Sequence, residues 1–106
     1  RQQEEAYPDL NTLVSPLSTD EAYNRALQVA TNLGWDIYHQ DSNTGVIEAV
    51  DTTSIMGFKD DIVIRVRSSA QGTLLDLRSV SRVGEGDLGA NAKRIRAFRD
   101  AFQQQE

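Results

Sequence analysis

The fold of this chain is decided by Asp76-Leu77-Arg78-Ser79-Val80-Ser81-Arg82-Val83-Gly84, which leads through two residues into Asp87-Leu88-Gly89-Ala90-Asn91-Ala92-Lys93-Arg94-Ile95. The first half alternates with a period of two, which predicts a strand over residues 73–82 with charged side chains on one face. The glycines after it indicate a loop, and Asp87 is a favourable N-cap. A strand, a glycine loop and a terminal helix are therefore expected to end the fold.

One helix and three more strands are predicted upstream of this stretch. Ser18 and Glu21 have capping-box spacing, and the apolar stripe that follows predicts a helix over about residues 19–33, ended by Gly34. Alternating patterns predict strands over residues 35–40, 46–50 and 61–67. Short turns between them favour antiparallel pairing.

These elements predict an α+β domain in the order α-β-β-β-β-α. We expect a two-layer sandwich, with a four-stranded antiparallel sheet and the N- and C-terminal helices packed on one face. Residues 1–17 are predicted to be an extended lead-in, because Pro8 and Pro16 disfavour helix at the residue before each of them. The single domain would then span residues 18–106.

Composition excludes several classes of function. The 106 residues carry a net charge of -5, which argues against a nucleic-acid partner, and they include no cysteine, which excludes disulfides and thiolate chemistry. No cofactor or metal is predicted. No apolar run is long enough to span a bilayer, so any membrane attachment would need a segment absent from this chain. The chain begins at Arg1, which is typical of a trimmed or processed product.

The glycine loop spells a dinucleotide-binding pattern in a context that does not support that function. Gly84, Gly86 and Gly89 have the G-x-G-x-x-G spacing, but no strand is predicted after the helix. Glu85 and Asp87 would also repel a phosphate. A plain loop with an N-cap is the favoured interpretation.

Asp60 and Asp61 are the first candidate site residues. Neighbours in a strand point to opposite faces, so this pair is poorly placed to share one acid–base reaction. The favoured interpretation is that one carboxylate caps a turn and the other pairs with an arginine.

Arg65, Arg78 and Arg82 form the clearest candidate cluster, because all three are expected on one face of neighbouring strands. Guanidinium groups suit a carboxylate or a phosphate, with Asp61 and Asp87 as orienting groups. The alternative is a salt-bridged sheet face with internal counter-charges, and this alternative is favoured.

Three other polar residues have structural interpretations. Asn91 lies on the apolar stripe of the last helix, where its buried amide is expected to bond the loop backbone near residues 84–86. His39 is the only histidine, and without further ligands or a nucleophile it is expected at a surface or strand end. Ser79 and Ser81 lack the strand-to-helix elbow of serine hydrolases.

The order of short motifs along the chain resembles the family called domain of unknown function 1499. The resemblance covers about residues 7–102 and rests on Leu33-Gly34-Trp35, Thr44-Gly45-Val46-Ile47-Glu48-Ala49, Gly57-Phe58-Lys59-Asp60-Asp61, Ile64-Arg65-Val66-Arg67 and the stretch quoted first. It implies a domain beside a membrane, exported or anchored, most simply in a periplasm. The family's polar positions correspond here to Asp60, Asp61, Arg65, Arg78, Ser79, Ser81, Arg82, Asp87, Asn91 and Arg94.

Three hypotheses of function follow. The first is a non-enzymatic binding or assembly module that binds a protein or a small anion through residues 58–61, residues 82–87 and the charged sheet face. The second is an enzyme that uses Asp61 or Asp87 as acid or base and the arginines to hold an anionic substrate. The third is a purely structural domain in which the charged cluster is fully paired internally.

Overall fold

The computed structural model describes residues 9–52, 59–81 and 88–104, which form five strands and two helices. In chain order these are β1 (Asp9–Ser15), α1 (Thr19–Asn32), β2 (Asp36–Asp41), β3 (Val46–Thr52), β4 (Lys59–Ser69), β5 (Gly72–Ser81) and α2 (Leu88–Gln104). The strands make one antiparallel sheet in the order β1-β5-β4-β3-β2. The α+β class is confirmed.

The four-stranded sheet predicted from the sequence is wrong by one strand, because β1 lies within the predicted lead-in. It pairs with β5 along its whole length, from Asp9 opposite Ser79 to Ser15 opposite Thr73. The local pattern of β1 is weak: Leu13 and Ser15 are its buried residues among those whose side chains are described. Residues 9–15 form a strand because they pair with β5, which is far along the chain, and no local sequence pattern can indicate such a pairing.

The first helix has the predicted N-terminus. The Ser18 hydroxyl accepts a hydrogen bond from the Glu21 N–H at 3.1 Å, and the Ser18 N–H donates to the Glu21 carboxylate at 3.2 Å. This reciprocal capping box is confirmed. Leu33 is the C-cap of the helix, and Gly34 follows with a φ of +88°, the left-handed conformation that favours glycine at this position.

The hydrophobic core consists of buried residues from both helices and from one face of the sheet. In β4 and β5 the apolar residues that alternate with the charged ones face the core, since Ile62, Ile64, Leu75 and Leu77 are at most 1% exposed. Trp35, Phe98 and Phe102 stack in series with ring centroids 5.7 and 5.9 Å apart. The first helix contacts β2 and β4, the second contacts β1 and β5, and the helices contact each other.

The other face of the sheet carries side chains that alternate with the core residues, and we call it the outer face. All of them are half-buried or exposed, and among the exposed ones are the apolar Val14 (52%) and Val80 (36%). The outer face is formed by Thr12, Val14, Val46, Glu48, Val50, Asp61, Val63, Arg65, Arg67, Leu74, Asp76, Arg78 and Val80.

Candidate functional site

The structure divides the predicted site residues between the two faces of the sheet. Asp60 faces the core side and is 4% exposed, whereas Asp61 lies on the outer face. The expectation that these neighbours point to opposite faces is therefore confirmed. Asn91 and Arg94 join Asp60 on the core side, and Arg65 and Arg78 join Asp61 on the outer face.

On the core side, Arg94 is the centre of a buried polar cluster. Its Nε donates to the Asp51 carboxylate at 2.9 Å, and its Nη2 lies 2.8 Å from the Asp60 carboxylate. Its Nη1 donates to the Ser79 hydroxyl at 3.1 Å and to the Asn91 side-chain oxygen at 2.7 Å. All three guanidinium nitrogens are thus engaged. We call Asp51, Asp60, Ser79, Asn91 and Arg94 the Arg94 cluster.

The arginine in this cluster offsets a repulsion that the sheet register creates. Asp51 of β3 and Asp60 of β4 are directly opposite, and like charges in such a pair destabilise a sheet. The side chains of Arg94 and Asp60 are 7% and 6% exposed, and that of Asp51 is 29% exposed. Because charges buried to this degree are stable only when paired, the Arg94 cluster ties α2 to three strands.

Asn91 has a firmer role than the sequence indicated. Its side-chain oxygen accepts hydrogen bonds from the Ser79 hydroxyl at 2.7 Å and from Arg94. The predicted bond to the glycine loop falls on residues 84–86, outside the described residues. Asn91 can therefore lie on the apolar stripe of α2, because Ser79 and Arg94 satisfy its buried side-chain oxygen.

On the outer face, Arg65 and Arg78 lie diagonally across β4 and β5, since Arg65 is opposite Asp76 and Arg78 is opposite Val63. Both are exposed, and neither makes an ion pair with another described residue. They border an open cleft of about 310 Å³, whose lining also includes Asn11, Thr12, Val63, Asp76 and Leu77. We call this feature the arginine cleft.

Asp76 of the arginine cleft already has partners. Arg67 Nε donates to its carboxylate at 2.9 Å, and the Thr12 hydroxyl donates at 2.8 Å. The hydrogen bond from Arg67 lowers the pKa of Asp76. Partial desolvation acts in the opposite direction but is the smaller effect, and the hydrogen bond from the Thr12 hydroxyl lowers the pKa further. Asp76 is therefore a weak base that stays ionised.

Near β2, the outer face becomes acidic. The Tyr38 hydroxyl lies 3.3 Å from the Glu48 carboxylate and 3.4 Å from that of Asp61. Desolvation, followed by the charges of Asp61 and Glu48, raises the pKa of Tyr38. The outer face thus carries an acidic pair near Tyr38 of β2, formed by Glu48 of β3 and Asp61 of β4, and its arginines lie farther along β4 and on β5.

Several sequence predictions cannot be placed in the structure. Arg82, Asp87, Gly84 and Gly86 lie outside the described residues, as does Phe58 of the predicted binding segment 58–61, whereas Gly89 lies in α2. Ser81 pairs with Asp60 through the backbone of β5, but its side chain is not among those described. His39 lies exposed on β2, in agreement with its predicted surface position.

Two residues of these surfaces were missed by the sequence analysis. Asp51 falls just beyond the strand predicted over residues 46–50. It continues the alternation that turns Ile47 and Ala49 toward the core, and this alternation was the signal that could have found it. Tyr38 gave no such signal, because the register of β2 shifts between Ile37 and His39.

The fold and the two polar clusters define a small α+β domain with one paired buried charge cluster and one exposed arginine cleft. The family model described as protein of unknown function (DUF1499) matches residues 1–102, and the chain belongs to this family. No curated protein matches the chain. Neither described helix is both long and apolar enough to cross a membrane.

Proposed function

We propose that this domain is a non-enzymatic binding module that holds an acidic segment of a partner protein in the arginine cleft. One observation carries the proposal: Arg65 and Arg78 are exposed on one face without an ion pair among the described residues. By contrast, Arg67 and Arg94 each hold a carboxylate of the domain itself. The module hypothesis explains why one pair of arginines stays open to solvent.

The chemistry of the arginine cleft fits a carboxylate-bearing partner. Diagonal neighbours across antiparallel strands are about 7–8 Å apart, so two guanidinium groups can hold adjacent carboxylates of one segment. Val63 lies beside both arginines, and Val80 adds apolar surface at 36% exposure. The charged contacts would orient the acidic segment in the arginine cleft, and the valines would give its apolar atoms a surface to bury against.

The two rival hypotheses explain less. A purely structural role accounts for the Arg94 cluster, whose guanidinium is fully engaged. On the outer face it gives Arg65 only a minor part, the last of the charge effects that lower the pKa of Asp76, and it explains no ion pair of Arg65 or Arg78 among the described residues. An enzyme would need an acid or a base at the arginine cleft. Of the two carboxylates that the enzyme hypothesis names, Asp87 lies outside the described residues and Asp61 is not among the described residues that line the cleft. The carboxylate that does line it is Asp76, whose lowered pKa and two hydrogen bonds make it a poor proton acceptor.

The proposal is tested by a chemical-shift titration of the isotopically labelled domain. The probes are a blocked tetraglutamate peptide and, separately, inorganic phosphate. We expect the peptide to shift the backbone amides of Val63, Arg65 and Arg78 in a saturable manner. Stronger shifts with phosphate would identify a small anion in place of a protein partner. Shifts confined to residues away from the arginine cleft, or none, would contradict the proposal.

We also propose that the domain works outside the cytoplasm, beside a membrane, as the family resemblance implies. None of these 106 residues is cysteine, so Ser42→Cys in the exposed β2–β3 turn would give this domain one accessible thiol, and the protein without the substitution gives the background labelling. A maleimide that does not cross membranes should label this thiol in intact host cells. Ala26→Cys, at a buried position, is the matched control and should be labelled only after denaturation. Labelling of the Ser42 variant only after cell lysis would place the domain in the cytoplasm.

A further inference from the structure

The sheet has two edges among the described strands, and they differ in where they carry the features that discourage strand addition. The β2 edge has a register shift between Ile37 and His39 and an aspartate at each end. Bulges and charges of this kind discourage pairing with another chain. The β1 edge pairs with β5 without a register shift, and its residues 11–15 carry no charge. Its protective residues are Asp9, Pro8 and Pro16, which stand at or beyond the ends of the strand and leave its middle open to pairing.

The backbone of β1 offers hydrogen-bonding groups at its outer side. A two-residue turn closes the β4–β5 hairpin between Ser69 and Gly72, and such a closing pair is hydrogen-bonded. By alternation, Leu75 and Leu77 direct their backbone groups to β1, where they meet those of Leu13 and Asn11. The N–H and C=O groups of Thr12 and Val14 therefore point away from the sheet.

The residue sequence of β1 fits a second copy of itself. In an antiparallel pair centred on Thr12, residue 12 opposes residue 12, residue 10 opposes residue 14, and the acidic position 9 opposes Ser15. All seven residues stay in register and no like charges meet. The same operation on β2 would place Asp36 opposite Asp41, a pairing that destabilises a sheet.

We propose that two copies of this chain associate through their β1 strands, antiparallel about a two-fold axis at Thr12, to form one continuous sheet. This association does not depend on the proposed acidic partner. It would extend the outer face across both copies, and because Thr12 lines the arginine cleft, the second copy would border that cleft. Val14, which is 52% exposed on the outer face, would be partly covered.

Sedimentation equilibrium over micromolar to near-millimolar concentrations tests the association. The parent chain should show a reversible monomer–dimer equilibrium. Val14→Pro removes an outward N–H without touching the β1–β5 ladder, so it should raise the dissociation constant about tenfold or more. Val14→Lys provides a second variant that keeps the backbone and adds an edge charge. His39→Lys, on the opposite edge, is the control and should leave the dimer intact.

Cross-linking tests the register. With Thr12→Cys, the two introduced thiols face each other at the two-fold axis, whereas with Val14→Cys each thiol faces residue 10 of the other copy. A short bifunctional thiol reagent should therefore link the Thr12 variant much faster than the Val14 variant. Equal rates would indicate random collision and overturn the register. A parent chain that stays monomeric at every concentration would overturn the association itself.

Discussion

Replacing Arg94 by methionine is expected to destabilise the domain by about 3–5 kcal/mol, the typical cost of breaking a buried ion pair from one side. The side chain of Arg94 is 7% exposed and holds two carboxylates that face each other across β3 and β4. Without the guanidinium, Asp51 and Asp60 repel each other and Asp60 stays buried without its counter-charge. Urea unfolding followed by circular dichroism measures the loss.

The matched control is Arg96→Met, on the exposed side of the same helix, which should change the free energy of unfolding by less than about 0.5 kcal/mol. The physical reason can be tested separately. If the cost comes from the carboxylates left behind, adding Asp51→Asn and Asp60→Asn to Arg94→Met should recover part of the lost stability. An Arg94→Met variant as stable as its parent would show that the Arg94 cluster is not needed for folding.

Gly45→Ala is expected to cost about 3 kcal/mol, because two penalties combine at this position. Gly45 has a φ of +75°, which L-residues rarely adopt, and an added Cβ would overlap the carbonyl oxygen of Val66. The two backbones are held together there, since the Val66 N–H donates to the Gly45 carbonyl at 2.7 Å. The β2–β3 turn would have to move away from β4.

Gly34→Ala is the control that separates the two penalties. Gly34 also has a positive φ, of +88°, but a Cβ at this position would meet nothing within 4 Å. We expect a loss of about 1–2 kcal/mol from backbone strain alone. Equal losses in the two variants, measured by urea unfolding, would contradict the close approach of Gly45 to Val66.

The parts of the fold that the sequence predicts are those with strong local patterns. The Ser18 capping box gives the start of α1, and the alternation of Ile62, Ile64 and Val66 gives the buried face of β4. Strand β1 could not be predicted in this way, because its partner β5 is distant in sequence and only Leu13 and Ser15 are buried among its described side chains. Pairing over such a separation is tertiary information.

In the candidate sites, too, local patterns could be predicted from the sequence and long-range contacts could not. The alternation of β4 and β5 places Arg65 and Arg78 on one face, as the sequence predicts. The role of Arg94 could not be predicted, since it depends on the helix packing over the sheet end where Asp51 and Asp60 meet. A helical position and two strand positions come together only in the folded chain. Sequence periodicity therefore predicts on which face of a strand or helix a side chain lies, but it does not predict which distant residues that side chain contacts.

The central claim is that the domain keeps Arg65 and Arg78 for a partner and Arg94 for folding. The most direct measurement is the tetraglutamate titration repeated on Arg65→Gln/Arg78→Gln, with Arg96→Gln as the control and unfolding curves for both. The account predicts that the double variant loses at least about tenfold in affinity while its stability stays within about 0.5 kcal/mol of the parent. Unchanged peptide affinity, or a loss of stability as large as that of Arg94→Met, would contradict it.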